Sequence, residues 1–471
     1  MNALDLERYN ALLFRGGMDV KYYQHDGISW CLSMERNGIL FDFGNKISWV
    51  RGGILADEMG LGKSFQLLCT MYCNMLRRTL IIVPLILLEQ WRSLFVSLLG
   101  YDVLVYHGDV RGITLDVLSS KYFVLTTYGM MRKSSSILYS LSWCRVVFDE
   151  AHHLRNRSSC LYNCVKSLKS SIRWLITGTI VHNCLNDFYS LCGILGLPSV
   201  YYKRKCNMPY ICRQFILRRT KKEVGLNLPC LNVNICNVSW GNDELFLSRI
   251  IHDRLSLSSD SLVCSSNILC ELSPLILFLK TKQLCIYPRM LDIFLNMNGL
   301  LSYKSVLFSS SKLDKVISMI LERRDNKKKK LLFCHFRYEI DELYTRLIRL
   351  GFNVSVIDGR ISKCLRNDIL FDKTLDILIL QIKTCCEGLN LQQFSDVYFV
   401  SPHWNPAIED QAIARCHRIG QENNVEIFKF QMDDIKIPET DKKIHTIENY
   451  ISMIQNKKRE LSNELFAIKK E

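Results

Sequence analysis

The chain predicts an α/β protein: two parallel-sheet blocks, a helical segment between them and a helix at the tail. Three observations predict it. Short apolar runs recur with helix-sized gaps between them. Those runs are rich in Val, Ile, Leu and Phe without polar alternation, as parallel strands covered on both faces require. The pattern then turns helical between about residues 226 and 311 before the βα style resumes. At 471 residues with 48% hydrophobic, the chain has material for more than one core.

Residues 1–225 form the first block. An apolar strand precedes residue 53, and further strands are expected at 79–83, 102–106, 122–126, 144–148 and 173–177. Residues 226–311 read as a helical linker or protrusion with a Ser-rich interruption near 255–266. The second block, 312–437, repeats the style at 331–335, 353–357, 376–380, 397–400 and 425–430. In the tail, 438–471, Ile444, Ile447, Ile451, Ile454 and Leu461 fall on one helical stripe, which predicts a bracing helix.

No apolar run reaches membrane-span length, and the N-terminus lacks the pattern of a secretory signal, so no membrane association is expected. The 20 cysteines include no C-x-x-C pair. Cys69/Cys73 and Cys160/Cys164 stand one helical turn apart, where core packing is the plainer reading than zinc. Scattered thiols fit a reducing intracellular compartment. With 61 Lys+Arg against 46 Asp+Glu, the formal charge of +15 favours polyanions, nucleic acid before membrane. Basic clusters lie at 203–205 with 218–222, and at 327–330, the latter expected to be a solvated loop.

Residues 53–64, G-I-L-A-D-E-M-G-L-G-K-S, have the form of a phosphate-gripping loop opening a helix. Gly60 and Gly62 let backbone N–H groups face an anion at a helix N-terminus. Lys63 suits the β- and γ-phosphates, and the Ser64 hydroxyl suits Mg²⁺. The strict pattern has Gly where this chain has Asp57. The bland alternative is a Gly-rich turn closed by a chance Lys-Ser.

Phe148-Asp149-Glu150-Ala151-His152 follows a β-run, which puts two carboxylates at the C-terminal edge of a sheet. There Asp149 suits a Mg²⁺ shell and Glu150 an attacking water; alone, the string often just caps a helix. Thr177-Gly178-Thr179 reads as a relay or as simple turn chemistry. Tyr23-Gln24 offers an amide to an adenine edge. In the second block, Arg415 and Arg418 stand three apart, on one helical face, suited to charge building on a phosphoryl group. Fingers on a separate block would split the site, so that nucleotide closes it and hydrolysis opens it. Surface ion pairing is the alternative, and it leaves the flanking Gln, His and Gly-Gln without a purpose.

The ordered strings resemble the Swi/Snf-type DNA-dependent ATPases of helicase superfamily two. They are Tyr23-Gln24, D-E-M-G-L-G-K-S, L-I-I-V-P (80–84) with Trp91, L-T-T-Y (125–128), D-E-A-H, L-I-T-G-T (175–179) and F-I-L-R-R-T-K-K-E-V (215–224). The second block adds Q-L-C-I-Y-P (283–288), E-G-L-N-L (387–391), H-W-N-P (403–406) and R-C-H-R-I-G-Q (415–421). The resemblance covers nearly the whole chain. It implies two RecA-like lobes forming a motor that uses ATP and Mg²⁺ to track along double-stranded DNA, usually without separating the strands.

By matched position it implies adenine contact by Gln24 and nucleotide contact along Asp57, Glu58, Met59, Gly60, Leu61, Gly62, Lys63 and Ser64. Ser64 and Asp149 match the Mg²⁺ positions, Glu150 and Lys63 the catalytic positions, and Arg415 and Arg418 the arginine fingers. Thr127, Thr384, Asn390 and Trp404 fall in motifs that touch DNA or couple it to ATP; a core tryptophan is the bland reading of Trp404.

Ile180 replaces the family's proline after T-G-T, Ser401 and His403 alter its D-P-W-W-N-P, and Cys385-Cys386 stands where small or basic residues are usual. These departures bear on coupling more than on hydrolysis. No chromodomain, bromodomain or RING string is read, an economy compatible with a virus-encoded member. The expected partners are duplex DNA with nucleosomes or other DNA-bound proteins, in the nucleus or at a viral replication site. The competing readings are a strand-separating helicase, an RNA-directed ATPase and a non-catalytic DNA-binding scaffold. Oligomeric state is not legible in the sequence.

Overall fold

The computed structural model describes residues 1–42, 47–133, 136–181, 184–253, 255–257, 262–264, 274–293, 310–385, 389–436 and 443–467. The chain divides into two compact units, Met1–Asn227 with Lys458–Glu471, and Leu228–Lys457.

The first unit is built on seven parallel strands: β1 (Gly52–Leu55), β2 (Thr79–Val83), β3 (Leu104–Tyr106), β4 (Phe123–Thr127), β5 (Ser142–Phe148), β6 (Lys169–Ile176) and β7 (Ile216–Leu217). Their order is β3-β4-β2-β5-β6-β1-β7. β1, β2 and β4 are buried along their whole length, as their unbroken apolar runs require. Because every strand runs the same way, all the C-terminal ends share one edge. The helices Ala3–Gly16 and Tyr22–Arg36 join this core; Asn2 and Asp5 cap the first reciprocally, and Asp5 also binds Arg36 at 2.6 Å. In the interior, the Arg145 guanidinium and the Glu35 carboxylate form a fully buried pair at 2.5 and 2.6 Å.

The second unit carries β8 (Leu231–Val238), β9 (Lys329–Cys334), β10 (Val354–Ile357), β11 (Ile377–Gln381), β12 (Phe394–Phe399) and β13 (Val425–Met432), all parallel, in the order β8-β13-β12-β9-β11-β10. Two parallel α/β sheets are thus the fold that the sequence predicts.

Strand β8 corrects the helical reading of residues 226–311. The string L-N-V-N-I-C-N-V alternates with a period of two, and Asn232 and Asn234 donate to Glu426 on β13 at 2.7 and 3.2 Å. Helices follow at Asn242–Asp253 and Pro274–Ile286. Of the Ser-rich stretch, Leu255–Leu257 pairs antiparallel with Leu262–Cys264, and 258–261 lie outside the described residues.

The basic run 327–330 is not simply solvated. Lys328 and Lys329 donate to the carbonyls of Asn424, Asp372 and Lys373, while Lys330 is buried with its amine on Asn326 and on the Lys328 carbonyl. These amines satisfy carbonyls at the entry edge of the sheet.

The tail forms the helix Ile447–Ala467. Ile447 and Ile451 are buried and Ile454 packs beside them, whereas Leu461 is exposed and Ile444 lies in the short strand Lys443–Ile444. The expected five-member stripe is therefore a shorter one. Among the described residues every cysteine characterised is a free thiol, and no helix is long and apolar enough to cross a membrane.

Candidate nucleotide site

Strand β1 ends at Leu55 and the chain turns through Asp57–Ser64 into the helix Lys63–Cys73. Gly60 and Gly62 adopt φ of +94° and +79°, the left-handed region that glycine enters without strain. A Cβ on Gly62 would also lie 2.6 Å from the Gln24 amide, so glycine lets the Gln24 side chain close over the turn. Gln24 is buried and donates to the Leu61 carbonyl at 3.3 Å. Lys63 Nζ lies 2.7 Å from the Asp57 carbonyl and 3.4 Å from that of Glu58.

At the same edge, β5 delivers Asp149 and Glu150. Asp149 is buried. Its Oδ2 accepts the Trp91 indole N–H at 2.7 Å and faces the Ser64 hydroxyl at 3.5 Å, while its Oδ1 accepts the Glu150 N–H at 2.9 Å. Tyr128 donates to the Asp149 carbonyl at 2.7 Å. Burial, followed by the like charge of Glu150, pushes the Asp149 carboxyl up to about 6 against the pull of the Trp91 indole. Glu150 takes φ of +49°, uncommon for a residue with a side chain, and its carboxylate lies 3.2 Å from His152 Nδ1. The site therefore holds two adjacent carboxylates, one of them desolvated, beside a hydroxyl and a lysine. That donor set fits a hydrated Mg²⁺ carrying a polyphosphate: the cation would relieve the carboxylate repulsion, and the loop N–H groups and Lys63 would meet the phosphates.

Two of the expected loop contacts differ. The Asp57 carboxylate is turned away from the phosphate side and fully buried. It accepts from Arg219 N and Nε at 3.0 Å, from Arg219 Nη2 at 2.5 Å and from Gln66 at 3.1 Å. Glu58 reaches the backbone N–H of Lys221 at 2.8 Å. Both acids serve the segment that carries β7 onward. Met59 packs on Gly178 of T-G-T, where a Cβ would lie 2.3 Å from its methyl. Thr177 accepts from the Thr179 N–H and donates to its carbonyl, as turn chemistry requires.

Thr127, expected near DNA, is buried with its hydroxyl 3.2 Å from His107 Nδ1. Ile180 is buried in the core where the resemblance has proline.

In the second unit, the helix Pro406–Cys416 begins at Asn405, whose side chain caps it, with Pro406 at its first position. Arg415 lies in its last turn. Arg418 does not share that helical face, because the helix ends at Cys416. His417 turns to hydrogen-bond the Pro229 carbonyl at 2.8 Å, and Gln421 donates to the carbonyls of Gln392, Phe394 and Cys416. These flanking residues build the turn that holds Arg418. Burial lowers the Arg418 pKa, with the charge of Arg415 adding to the effect. Arg418 Nε is buried without a hydrogen-bond partner among the described residues.

Trp404 is 38% exposed and meets Phe278 edge-on at 5.4 Å. Asn390 is exposed. Ser401 is buried, and half-buried His403 stacks on His335 at 5.5 Å. Thr384 belongs to the short helix Ile382–Cys385, its side chain outside the described residues, as are Cys386, Glu387 and Gly388. Sequence reasoning gave no role to Arg219, Gln66 or Tyr128. Arg219 and Tyr128 lay inside quoted strings, but no string reveals a side-chain partner.

Comparison with known proteins places the chain in a family. The model of the SNF2-related domain matches residues 23–290, and that of the helicase conserved C-terminal domain matches 311–420. An uncharacterized ATP-dependent helicase of Mycoplasma pneumoniae is 28% identical over 94% of this chain. A probable global transactivator of Orgyia pseudotsugata multicapsid polyhedrosis virus is 26% identical over 94% of this chain and 91% of its own length. The mouse SWI/SNF-related matrix-associated actin-dependent regulator of chromatin, subfamily A member 1, is 26% identical over 89% of this chain. The chain spans 42% of the length of the bacterial and mouse proteins.

Proposed function

The chain belongs to the SNF2-related family, and from that membership we propose that it hydrolyses ATP to track along double-stranded DNA, remodelling the protein–DNA complexes it meets. The observation that carries this reading is the convergence of Lys63, Ser64, Asp149 and Glu150 at one edge of the first sheet. In this reading residues 1–225 are the ATP-binding lobe and 312–437 the C-terminal helicase lobe. Double-stranded DNA, nucleosomes or other DNA-bound proteins are the partners, and the place of action is the nucleus or a viral replication site.

In this reading each residue has a stated role. Gln24 contacts adenine, and the loop N–H groups with Lys63 hold the phosphates. Ser64 and Asp149 would hold Mg²⁺, which would supply positive charge against the phosphates. Trp91 and the Glu150 N–H fix the Asp149 carboxylate in its rotamer. Glu150 orients the attacking water and accepts its proton. Arg415 and Arg418 supply positive charge to the transferring phosphoryl group. Trp404 and Asn390, both exposed, face the tracked strand, with Thr384 in the adjoining motif; Thr127, being buried, acts through the strand end it caps.

The test is ATP turnover without nucleic acid and with duplex DNA, single-stranded DNA, RNA or nucleosomes. Duplex DNA is expected to raise the rate about tenfold or more, and Glu150→Gln to abolish turnover. General-base loss costs about 10²–10⁴ in rate. Equal hydrolysis with and without duplex DNA overturns the translocase. Displacement of a triplex strand without fork unwinding separates tracking from strand separation.

A further inference from the structure

The strict phosphate-loop pattern has glycine where this chain has Asp57, and the structure gives that carboxylate a partner 162 residues away. We propose that Arg219 is a positioning residue for the nucleotide, locking the first turn of the adenine-reading helix and the phosphate-gripping loop together through Asp57. The inference rests on the assignment of Gln24 to adenine.

Arg219 donates to both elements. Its backbone N and its Nε reach Asp57 Oδ1 at 3.0 Å, and its Nη2 reaches Asp57 Oδ2 at 2.5 Å and Gln66 Oε1 at 3.0 Å. Its Nη1 donates to the carbonyl of Tyr23, the neighbour of Gln24, and the guanidinium lies 5.7 Å from the Tyr23 ring centre. Gln66 and Gln24 then converge on one acceptor, the Leu61 carbonyl, at 3.2 and 3.3 Å. The packing is tight: a Cβ on Gly27 would lie 1.9 Å from Gln66 Oε1 and 2.7 Å from Arg219 Nη2. The backbone joins in, with Ala56 N bonded to the Leu217 carbonyl and Glu58 N to that of Arg219.

Residues 23–24 and 57–62 belong to different elements, a helix and a strand-to-helix turn, so no backbone ladder fixes one against the other. Their spacing must match the distance from a base to its phosphates. Arg219 is the side chain that touches the backbone of one and the carboxylate of the other. A planar five-donor fork suits that task and an ammonium does not.

A purely structural pair would move stability and leave base selectivity alone. The affinities of fluorescent mant-ADP and mant-GDP, with no DNA present, separate the two roles in the full chain. Wild type, Arg219→Lys, Asp57→Asn, the double variant and Gln24→Ala are compared, with melting temperatures. The two clamp variants are each expected to weaken mant-ADP about tenfold and change mant-GDP less than twofold. The double variant should be no worse than either single one, because both break one clamp. Gln24→Ala should show the same loss of preference. Unchanged base preference in Arg219→Lys and Asp57→Asn overturns the inference, as does full additivity in the double variant. Full preference in Gln24→Ala removes the adenine assignment and this inference with it. DNA stimulation of wild-type turnover is read separately, so failure of the motor reading is distinguishable.

Discussion

Asp149→Asn is expected to make the first unit more stable at neutral pH while destroying hydrolysis. Burial and the neighbouring Glu150 push the Asp149 carboxyl from an ordinary 3.8 up to about 6. A shift of that size corresponds to about 3 kcal/mol carried by the folded state once the group is ionised. Asparagine has one acceptor where the carboxylate has two, so either the Trp91 indole or the Glu150 N–H loses its partner, at about 1 kcal/mol. The expected net gain is about 2 kcal/mol.

The sign of the pH dependence follows from proton binding. Between pH 3.8 and 6 the folded state holds a proton that the unfolded chain releases, so folding weakens as pH rises through that window. Below it the cost vanishes, and above it the cost is complete and constant. The gap between Asp149→Asn and wild type should be full at pH 7.5 and close as pH falls toward 4. Urea unfolding followed by tryptophan fluorescence reads it, because Trp30, Trp49, Trp91, Trp143 and Trp174 all lie in the first unit. Mg²⁺-nucleotide should restore the order by protecting only wild type. A variant no more stable than wild type at pH 7.5, or a gap that ignores pH, refutes the reasoning.

Two further outcomes follow. Arg145→Ala leaves the Glu35 carboxylate buried with only the Trp174 and Asn74 donors, and should cost about 3–5 kcal/mol in urea unfolding; replacing both partners by Met and Leu should recover most of it. Trp404→Ala should lower duplex-stimulated turnover about tenfold, about 1.4 kcal/mol in coupling to the tracked strand, and leave turnover without nucleic acid within twofold.

The legible parts of this chain are those in which one local pattern has one physical outcome. The run T-L-I-I-V at β2 holds only residues that a doubly covered strand accepts, and its bounds agree with the sequence to the residue. The shared position of the candidate site residues was legible for a topological reason. Parallel strands put all their C-terminal ends on one edge, so a loop after β1 and two acids after β5 must face the same side. What stayed hidden depends on distance or on an unmarked choice. Strand β8 lies in a stretch whose helices set its average, and its own alternation spans only eight residues. The helix before Arg418 stops because His417 has a distant acceptor in Pro229. Asp57 looked like a defect in a phosphate loop because Arg219 is far away in sequence.

Strand β5 shows why a buried ion pair and a strained acid occur together. It is paired on both sides, Arg145 with Thr79 of β2 and with Ile172 of β6, and its core residues Val146, Val147 and Phe148 are apolar and interchangeable in kind. Apolar burial alone would tolerate a slip along the ladder, but a one-residue slip would send Asp149 to the opposite face. Arg145 tolerates no such slip, because among the described residues its buried counter-charge is Glu35, with the Asn74 carbonyl and Thr79 hydroxyl completing its bonds. The pair therefore fixes register four residues upstream of the acid that needs it. With register fixed, the strand can end in a desolvated Asp149 and a left-handed Glu150, both unfavourable locally and both at the edge proposed to hold nucleotide.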